Sequence, residues 1–396
     1  MLKQISLLIL CAVAIVLFDT PVHACTSAVV SGKVTLDGRP LLWKNRDTDF
    51  MRNHVDYVKG ERYDFIAVVN GANAYLKEAW MGTNSAGFAL MNTQSYNLVD
   101  VKGDEERGAA NGRVIYRALE VCATVEDFCH FLDTISKPSD IEANFGVIDA
   151  QGGAAMFEVD YYKYVMYDAN NPKDAPYGYI ARTNFSFAGK VNEGAGYVRY
   201  MEADQVLMKA SATGNITPQF IFNDLSRSFR NRMLDIDLRS GGYNRPQASG
   251  WFIDQDFIPR SSTSCSVVVQ GVKPGVKAEL TTMWTLLGYP PTGIAVPLWV
   301  KDAGKLLPGM VRFNREHEAA LLSDWSLRLA DRVFSYKQGM GTGRYLNWER
   351  LYSPGKGDGY MTVITEVEDE VFRTTKPLLE EWYKNCLLYT SDAADE

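Results

Sequence analysis

The chain has 396 residues, 46% hydrophobic and 22% charged, with a formal net charge of −7, an ordinary globular composition with length for one large core or two domains. A mildly acidic chain with no basic run gives no ground for nucleic acid as a partner. Four histidines in no metal-ligand spacing, and the lack of Cys-x-x-Cys, Gly-x-Ser-x-Gly or a phosphate-cradling glycine loop, argue against the common zinc, serine-hydrolase and nucleotide chemistries.

Lys3 precedes an almost wholly apolar run over residues 5–18, and Val22 and Ala24 stand at −3 and −1 before Cys25. The run is shorter than the ~18 residues that a spanning helix needs. This predicts a signal peptide over 1–24, cut between Ala24 and Cys25 by signal peptidase, and an exported protein, periplasmic or extracellular. No later segment is long and apolar enough to cross a bilayer. At the other end, residues 386–396 read as an adaptor-derived artefact tail rather than native protein. Lys3 and Asp19 cancel and the tail takes three negatives with it, which moves −7 to −4.

The mature chain opens as strands. Residues 25–31 are small and β-branched, and Asp37-Gly38 is a hairpin signal before Leu41-Leu42-Trp43. Strand-like runs continue over 55–69 and 75–96, with Asn70-Gly71 as a turn and Gly82-Thr83-Asn84-Ser85-Ala86-Gly87 as a tight loop. From 112 to 135 the period becomes three to four, which predicts one helix or two joined near Thr124. Residues 144–149 and 154–160 flank the hairpin Ala150-Gln151-Gly152-Gly153, and strands continue over 161–168 and 177–184. Helices are expected over 197–210 and after Thr217-Pro218, a Thr N-cap with Pro at N1. Two more strands fall at 264–271 and 278–287, and 324–336 has helical periodicity. The pattern predicts an α+β domain of antiparallel sheets covered by helices: 25–385 as one unit, its core about 25–300 with a C-terminal helical extension about 301–385.

Leader and tail carry Cys11 and Cys386, leaving Cys25, Cys122, Cys129 and Cys265. Spaced seven apart on helix, Cys122 and Cys129 lie about 10 Å apart, too far for a disulfide without unwinding, and are expected as buried apolar residues. His54, His130 and His317 are expected in structural or surface roles. Cys25 needs none of them. Freed at the N-terminus, its own α-amine, with a pKa near 7.7–8.0, can take the thiol proton and later give it to a leaving nitrogen. Such a site also needs a carboxylate to orient the amine and donors for an oxyanion.

Cys25-Thr26-Ser27, Asp37-Gly38 and Lys44-Asn45-Arg46-Asp47 resemble the opening of the N-terminal-nucleophile (Ntn) cysteine hydrolases of the choloylglycine hydrolase and penicillin acyltransferase branch. Gly82-Thr83-Asn84-Ser85-Ala86-Gly87-Phe88, Arg182-Thr183-Asn184, Gly196-Tyr197-Val198-Arg199-Tyr200, and the hairpin at Asp149 with Glu158 are similar to later motifs of that family. The resemblance covers about 25–300. It implies a four-layer αββα sandwich, Cys25 as nucleophile, Asp47 holding the α-amine, Asn92 and Asn184 as oxyanion donors and Arg199 steadying the site. Lys44 stands where many members have a substrate-orienting arginine. The implied reaction is cleavage of a linear non-peptide amide through an acyl-enzyme, or acyl transfer to an amine, with no metal or organic cofactor. Bile-salt amides, N-acyl amino acids, β-lactam side chains and, in a dipeptidase branch, small dipeptides are the substrates it suggests. Dimers or tetramers are permitted. The alternative from another class is a lipid-anchored surface binding protein, acylated at Cys25.

Overall fold

The computed structural model describes residues 24–71, 76–99, 108–240, 250–254, 256–335, 344–353 and 356–392. Residues 1–23 of the expected leader and the last four residues of the expected tail lie outside them.

Two antiparallel sheets carry the fold. The first has six strands: β1 (Cys25–Val30), β2 (Leu41–Asp47), β10 (Tyr179–Arg182), β11 (Thr263–Gln270), β12 (Thr282–Leu287) and β13 (Ala295–Leu298), in the order β10-β1-β2-β11-β12-β13. The second has seven strands in chain order: β3 (Asn53–Val58), β4 (Phe65–Asn70), β5 (Met81–Asn84), β6 (Ala89–Gln94), β7 (Ala143–Ile148), β8 (Ala154–Val159) and β9 (Tyr164–Asp168). Short turns join most of these neighbours, and glycine supplies them where the backbone turns left-handed, as at Gly38 (φ 74°) in the first sheet and Gly152 (φ 88°) in the second, while β6 reaches β7 through two helices. The predicted strands of this region are borne out.

Side chains alternate across both sheets, and the alternation makes three apolar layers. Val29, Leu42, Val267 and Met283 of the first sheet meet Val55, Ile66, Met91 and Met156 of the second. On the outer face of the second sheet, Phe65, Leu90, Phe145 and Phe157 pack against α1 (Asn111–Val121) and α2 (Val125–Thr134) through Ile115, Leu119, Phe128 and Leu132. On the outer face of the first, Ala28, Trp43, Val268 and Trp284 are covered by α3 (Tyr197–Ser211), by the wide turn Ile221–Ser226, and by the C-terminal α5 (Tyr360–Asp392), which contributes Phe372 and Leu379. The result is an αββα sandwich, as expected. Each fully buried aliphatic or aromatic side chain in these layers stabilises it by about 1.5–3 kcal/mol.

The helical region over 112–135 is two helices, broken where Thr124 and Asp127 form a reciprocal capping box. Both thiols are free, as the spacing predicted; Cys122 ends the first helix and is buried as expected, whereas Cys129, expected to be buried too, is only half-buried in the second. The loop expected over Gly82–Gly87 is shorter: Gly82, Thr83 and Asn84 belong to β5, and only the residues after Asn84 make the turn. Asn84 accepts from the Ala86 and Phe88 amides and donates to the Leu119 and Cys122 carbonyls, pinning the β5–β6 hairpin to the end of α1.

Three elements depart from expectation. Thr217 caps Phe220 as predicted, but the helix it starts has only three residues before widening into a π turn that buries Ile221, Phe222 and Leu225. β13 escaped notice because it contains Pro297, which only an edge strand tolerates. A helix α4 (Leu321–Val333) lies three residues earlier than its periodicity suggested. Within α5, residues 386–392 of the expected tail continue the helix past Pro377 and Asn385. Among the described residues no helix is long and apolar enough to cross a membrane.

Candidate active site

Cys25 is the first residue of β1 and lies between two strands. Its cross-strand partner on β2 is Arg46, and the register with β10, carried two residues beyond that strand, sets Asn184 opposite it. Cys25, Ser27 and Val29 share the inward face, so the sulfur faces the gap between the sheets while the backbone stays within reach of the outer helical layer.

That backbone is gripped from outside. The Cys25 peptide N–H donates to Asn184 Oδ1 at 2.9 Å. Arg199, on the first turn of α3, donates through Nη1 to the Cys25 carbonyl at 2.6 Å and to Thr26 Oγ1 at 2.9 Å, and through Nη2 to Asn184 Oδ1 at 2.9 Å. Asn184 in turn donates to the Gln94 carbonyl at 2.8 Å. Arg199 is 1% exposed, and burial, followed by the nearby Arg260 charge, pushes its pKa down to about 10. Gly196, with φ 86°, makes room for it: a Cβ there would sit 2.4 Å from Arg199 Nη2.

Asp47 ends β2 one residue beyond the partner of Cys25, so its side chain projects to the opposite face. Its carboxylate accepts from Arg260 Nη2 at 2.6 Å and Nε at 3.1 Å, and from Thr263 Oγ1 at 2.6 Å. With Ala24 attached, the Cys25 nitrogen has one hydrogen and gives it to Asn184. The expected amine-holding contact of Asp47 is therefore replaced, in this form of the chain, by Asn184, while Asp47 meets Cys25 through its main-chain oxygen, 4.0 Å from Sγ. Asn184, expected as an oxyanion donor, instead presents its oxygen to the nucleophile's backbone.

Lys44, also on the inward face, crosses to the second sheet. Pairing of β5 with β6 ends at Met81 and Met91, and just beyond it the Lys44 ammonium donates to the Trp80 carbonyl at 3.1 Å and to Asn92 Oδ1 at 2.9 Å. This contact turns the Asn92 oxygen to Lys44 and leaves its amide hydrogens for another acceptor, as an oxyanion donor requires. Burial lowers the Lys44 pKa to about 8, against the opposing influence of Cys25. Arg46 donates to Asn53 Oδ1 at 2.6 Å and Asn70 Oδ1 at 2.9 Å and lies 4.5 Å over the Trp80 ring.

The structure thus brings Cys25, Asn184 and Arg199 into one hydrogen-bonded cluster, places Asp47 against the Cys25 strand end, and joins Lys44 to Asn92 on the sulfur's side. Sequence reasoning missed Arg260 and Tyr96. Arg260 lies 213 residues from Asp47 in a loop with no motif. Burial, and next the proximity of Cys25, push the Tyr96 phenol above its usual range. The histidines stand elsewhere: His54 pairs with Asp56 at 3.2 Å, His317 with Asp324 at 2.8 Å, and His130 is exposed on α2.

Comparison with known proteins adds a likeness over part of the chain. Residues 35–219 match the family model described as acyl-coenzyme A:6-aminopenicillanic acid acyl-transferase. No curated protein matches the chain. Among solved structures, a variant of conjugated bile acid hydrolase from Clostridium perfringens is 11% identical, covering 70% of this chain and 93% of its own, with a TM-score of 0.42. Penicillin V acylase from Agrobacterium tumefaciens is 16% identical over 69% and 86%, with a TM-score of 0.37. An N-acylethanolamine-hydrolyzing acid amidase ortholog from Caenorhabditis elegans is 17% identical over 51% and 89%, with a TM-score of 0.34. Over residues 35–219, a little under half of its length, the chain is thus similar to an acyl-transferase family.

Proposed function

We propose that this protein is an exported cysteine Ntn hydrolase that cleaves a linear non-peptide amide through an acyl-enzyme at Cys25, and that the same intermediate also transfers its acyl group to an amine. The observation that carries the reading is the grip on Cys25: its N–H and carbonyl are held by buried Asn184 and Arg199 while the sulfur faces the gap between the sheets. A lipid anchor would need both nitrogen and sulfur free at the surface, whereas Cys25 is 6% exposed.

Removal of residues 1–24 by signal peptidase converts the Cys25 peptide nitrogen into an α-amine. That amine takes the thiol proton, the sulfur attacks the substrate carbonyl carbon, and the carbonyl π electrons move onto oxygen. Asn92, its own oxygen held by Lys44, supplies N–H donors for the oxyanion. The ammonium then gives its proton to the leaving nitrogen, the C–N bond breaks, and a thioester remains on Cys25. Water, or a second amine, attacks the thioester and restores the thiol. Asn184 and Arg199 keep the strand end fixed throughout, and Asp47, anchored by Arg260, faces the new ammonium as counter-charge.

The test uses protein with a verified Cys25 terminus, assayed on bile-salt amides, N-acyl amino acids, penicillins and dipeptides, with intact-mass trapping of the acylated cysteine. Cys25→Ala, Cys25→Ser and a form with one residue left before Cys25 all lose turnover. Full turnover by the blocked-terminus form refutes the mechanism. A diacylglycerol adduct on the exported protein refutes the enzyme.

A further inference from the structure

A short hairpin, Arg230–Asn231 paired with Ile236–Asp237, folds against α3 and the wide turn Ile221–Ser226, and a cavity of about 300 Å³ lies between them. Four basic side chains and three carboxylates line it, so its wall carries one net positive charge. Two of the carboxylates are already committed. Glu202, fully buried on α3, accepts from Arg232 Nε and from Ser228 Oγ at 2.7 Å, and Asp237 accepts from Arg230 Nε at 2.7 Å. The third, Asp224, is exposed, as is the fourth cation, Lys209.

What is left over is donor capacity. Arg232 Nη2 and Arg239 Nε are buried, and neither finds an acceptor among the described residues. Arg239 gives Nη2 to two neutral main-chain carbonyls, those of Asn223 and Arg227, both at 3.0 Å. Burial pushes its pKa down, against the opposing influence of Tyr352 and Asp224. Buried donors are nearly always satisfied, so two orphans on basic side chains around one cavity mark a place for an anion. The unmet donors belong to two side chains, one just beyond each strand of the hairpin. Oxygens set in several directions, as in phosphate, meet such a pair, whereas a flat carboxylate is best matched by the planar fork of a single arginine.

We propose that this cavity is a binding site for a small phosphate-type oxyanion, held by Arg232 Nη2 and Arg239 Nε with Lys209 as a further cation. It lies in the outer layer, apart from the gap that the Cys25 sulfur faces, and it stands whether or not the protein hydrolyses amides. Its link to Cys25 runs along α3. Glu202 and Lys209 in the cavity wall share that helix with Arg199, which holds the Cys25 carbonyl. An anion shared by Lys209 and the two arginines ties the hairpin to the helix that grips the nucleophile.

The experiment titrates protein with a Cys25 terminus calorimetrically with inorganic phosphate and with acetate, at neutral pH and constant ionic strength. One phosphate is expected to bind saturably, about 10-fold or more tightly than acetate. Arg239→Gln should lose about 10-fold or more of that affinity, and Arg239→Lys, which still serves the two carbonyls, should keep part of it. Phosphate also shifts the Arg239 Nε–H resonance, assigned as the signal missing from both variants. The absence of saturable phosphate binding, equal affinity for phosphate and acetate, or binding that Arg239→Gln leaves unchanged overturns the site. Should Arg239→Gln fail to fold, Arg239→Lys supplies the assignment and the parent decides: a Nε–H signal that moves with phosphate supports the site, and one that stays in place at saturating phosphate overturns it.

Discussion

Replacing Arg199 by methionine tests whether the nucleophile is held by the outer layer. The substitution keeps most of the side-chain volume and removes three donated hydrogen bonds, to the Cys25 carbonyl, to Thr26 Oγ1 and to Asn184 Oδ1. Each charge-assisted bond of this kind is worth about 1.5–3 kcal/mol. Against that stands the cost of burying the guanidinium, visible in its lowered pKa, which methionine does not incur. The Asn184 oxygen also keeps the Cys25 N–H as a donor. The net loss in stability is about 2–4 kcal/mol, which a domain stable by roughly 5–15 kcal/mol survives. Turnover suffers more, since about 1 Å of displacement at a reacting centre can cost roughly 100-fold. Urea denaturation and amide turnover on the Cys25-terminal protein are the assays. Arg199→Lys, whose single ammonium cannot reproduce the fork, should fall between parent and methionine variant. A methionine variant with parental stability, and with kcat/KM within about threefold of the parent, would show that Arg199 is a bystander and that the strand end holds Cys25 by itself.

Two further outcomes follow from buried charges. Arg260→Gln withdraws the fork from Asp47, which is otherwise held by Thr263 alone among the contacts described, and should lower stability by about 2–4 kcal/mol and turnover tenfold or more; unchanged denaturation and kinetics would mean that Thr263 suffices. Folding depresses the Lys44 pKa from 10.5 to about 8. Between those values the unfolded chain binds the proton that the folded chain has released, so stability rises with pH across that window, and below it the full cost of the buried charge is present. Lys44→Met should remove a rise on the order of 3 kcal/mol, read from denaturation midpoints of the two proteins between pH 8 and 10.5; parallel pH profiles would count against a charged, buried Lys44.

Much of this molecule could be read before it was folded. Alternation along 25–31 and 41–47, the hairpin glycines and the switch to a helical period after residue 110 are local signals, and they led to antiparallel sheets covered by helices; the four layers came from the family resemblance. The join near Thr124, the free Cys122 and Cys129, and the likeness of Lys44-Asn45-Arg46-Asp47 to a family motif were equally local. What resisted reading had a physical cause in each case. Pro297 hid an edge strand, because proline's cost depends on which side of the strand is paired. Lys44 was expected only to orient substrate and Arg46 was only a letter of a motif, since nothing near them in the chain discloses that carboxamides from β3, β4 and β6 will receive them.

The sequence by itself determined the period of each element, the position of Cys25 at the head of a strand, and a set of polar residues able to serve it, because these depend on neighbours within a few residues. Only the tertiary structure decided who holds whom. Asn184 is 159 residues from Cys25 and Arg260 is 213 from Asp47, and both arrive through strand register and packing of the two sheets. Register also set the faces: a one-residue step along β2 sends Asp47 outward to Arg260 and keeps Arg46 inward beside the sulfur, a difference in chemistry that side-chain alternation creates and composition does not contain.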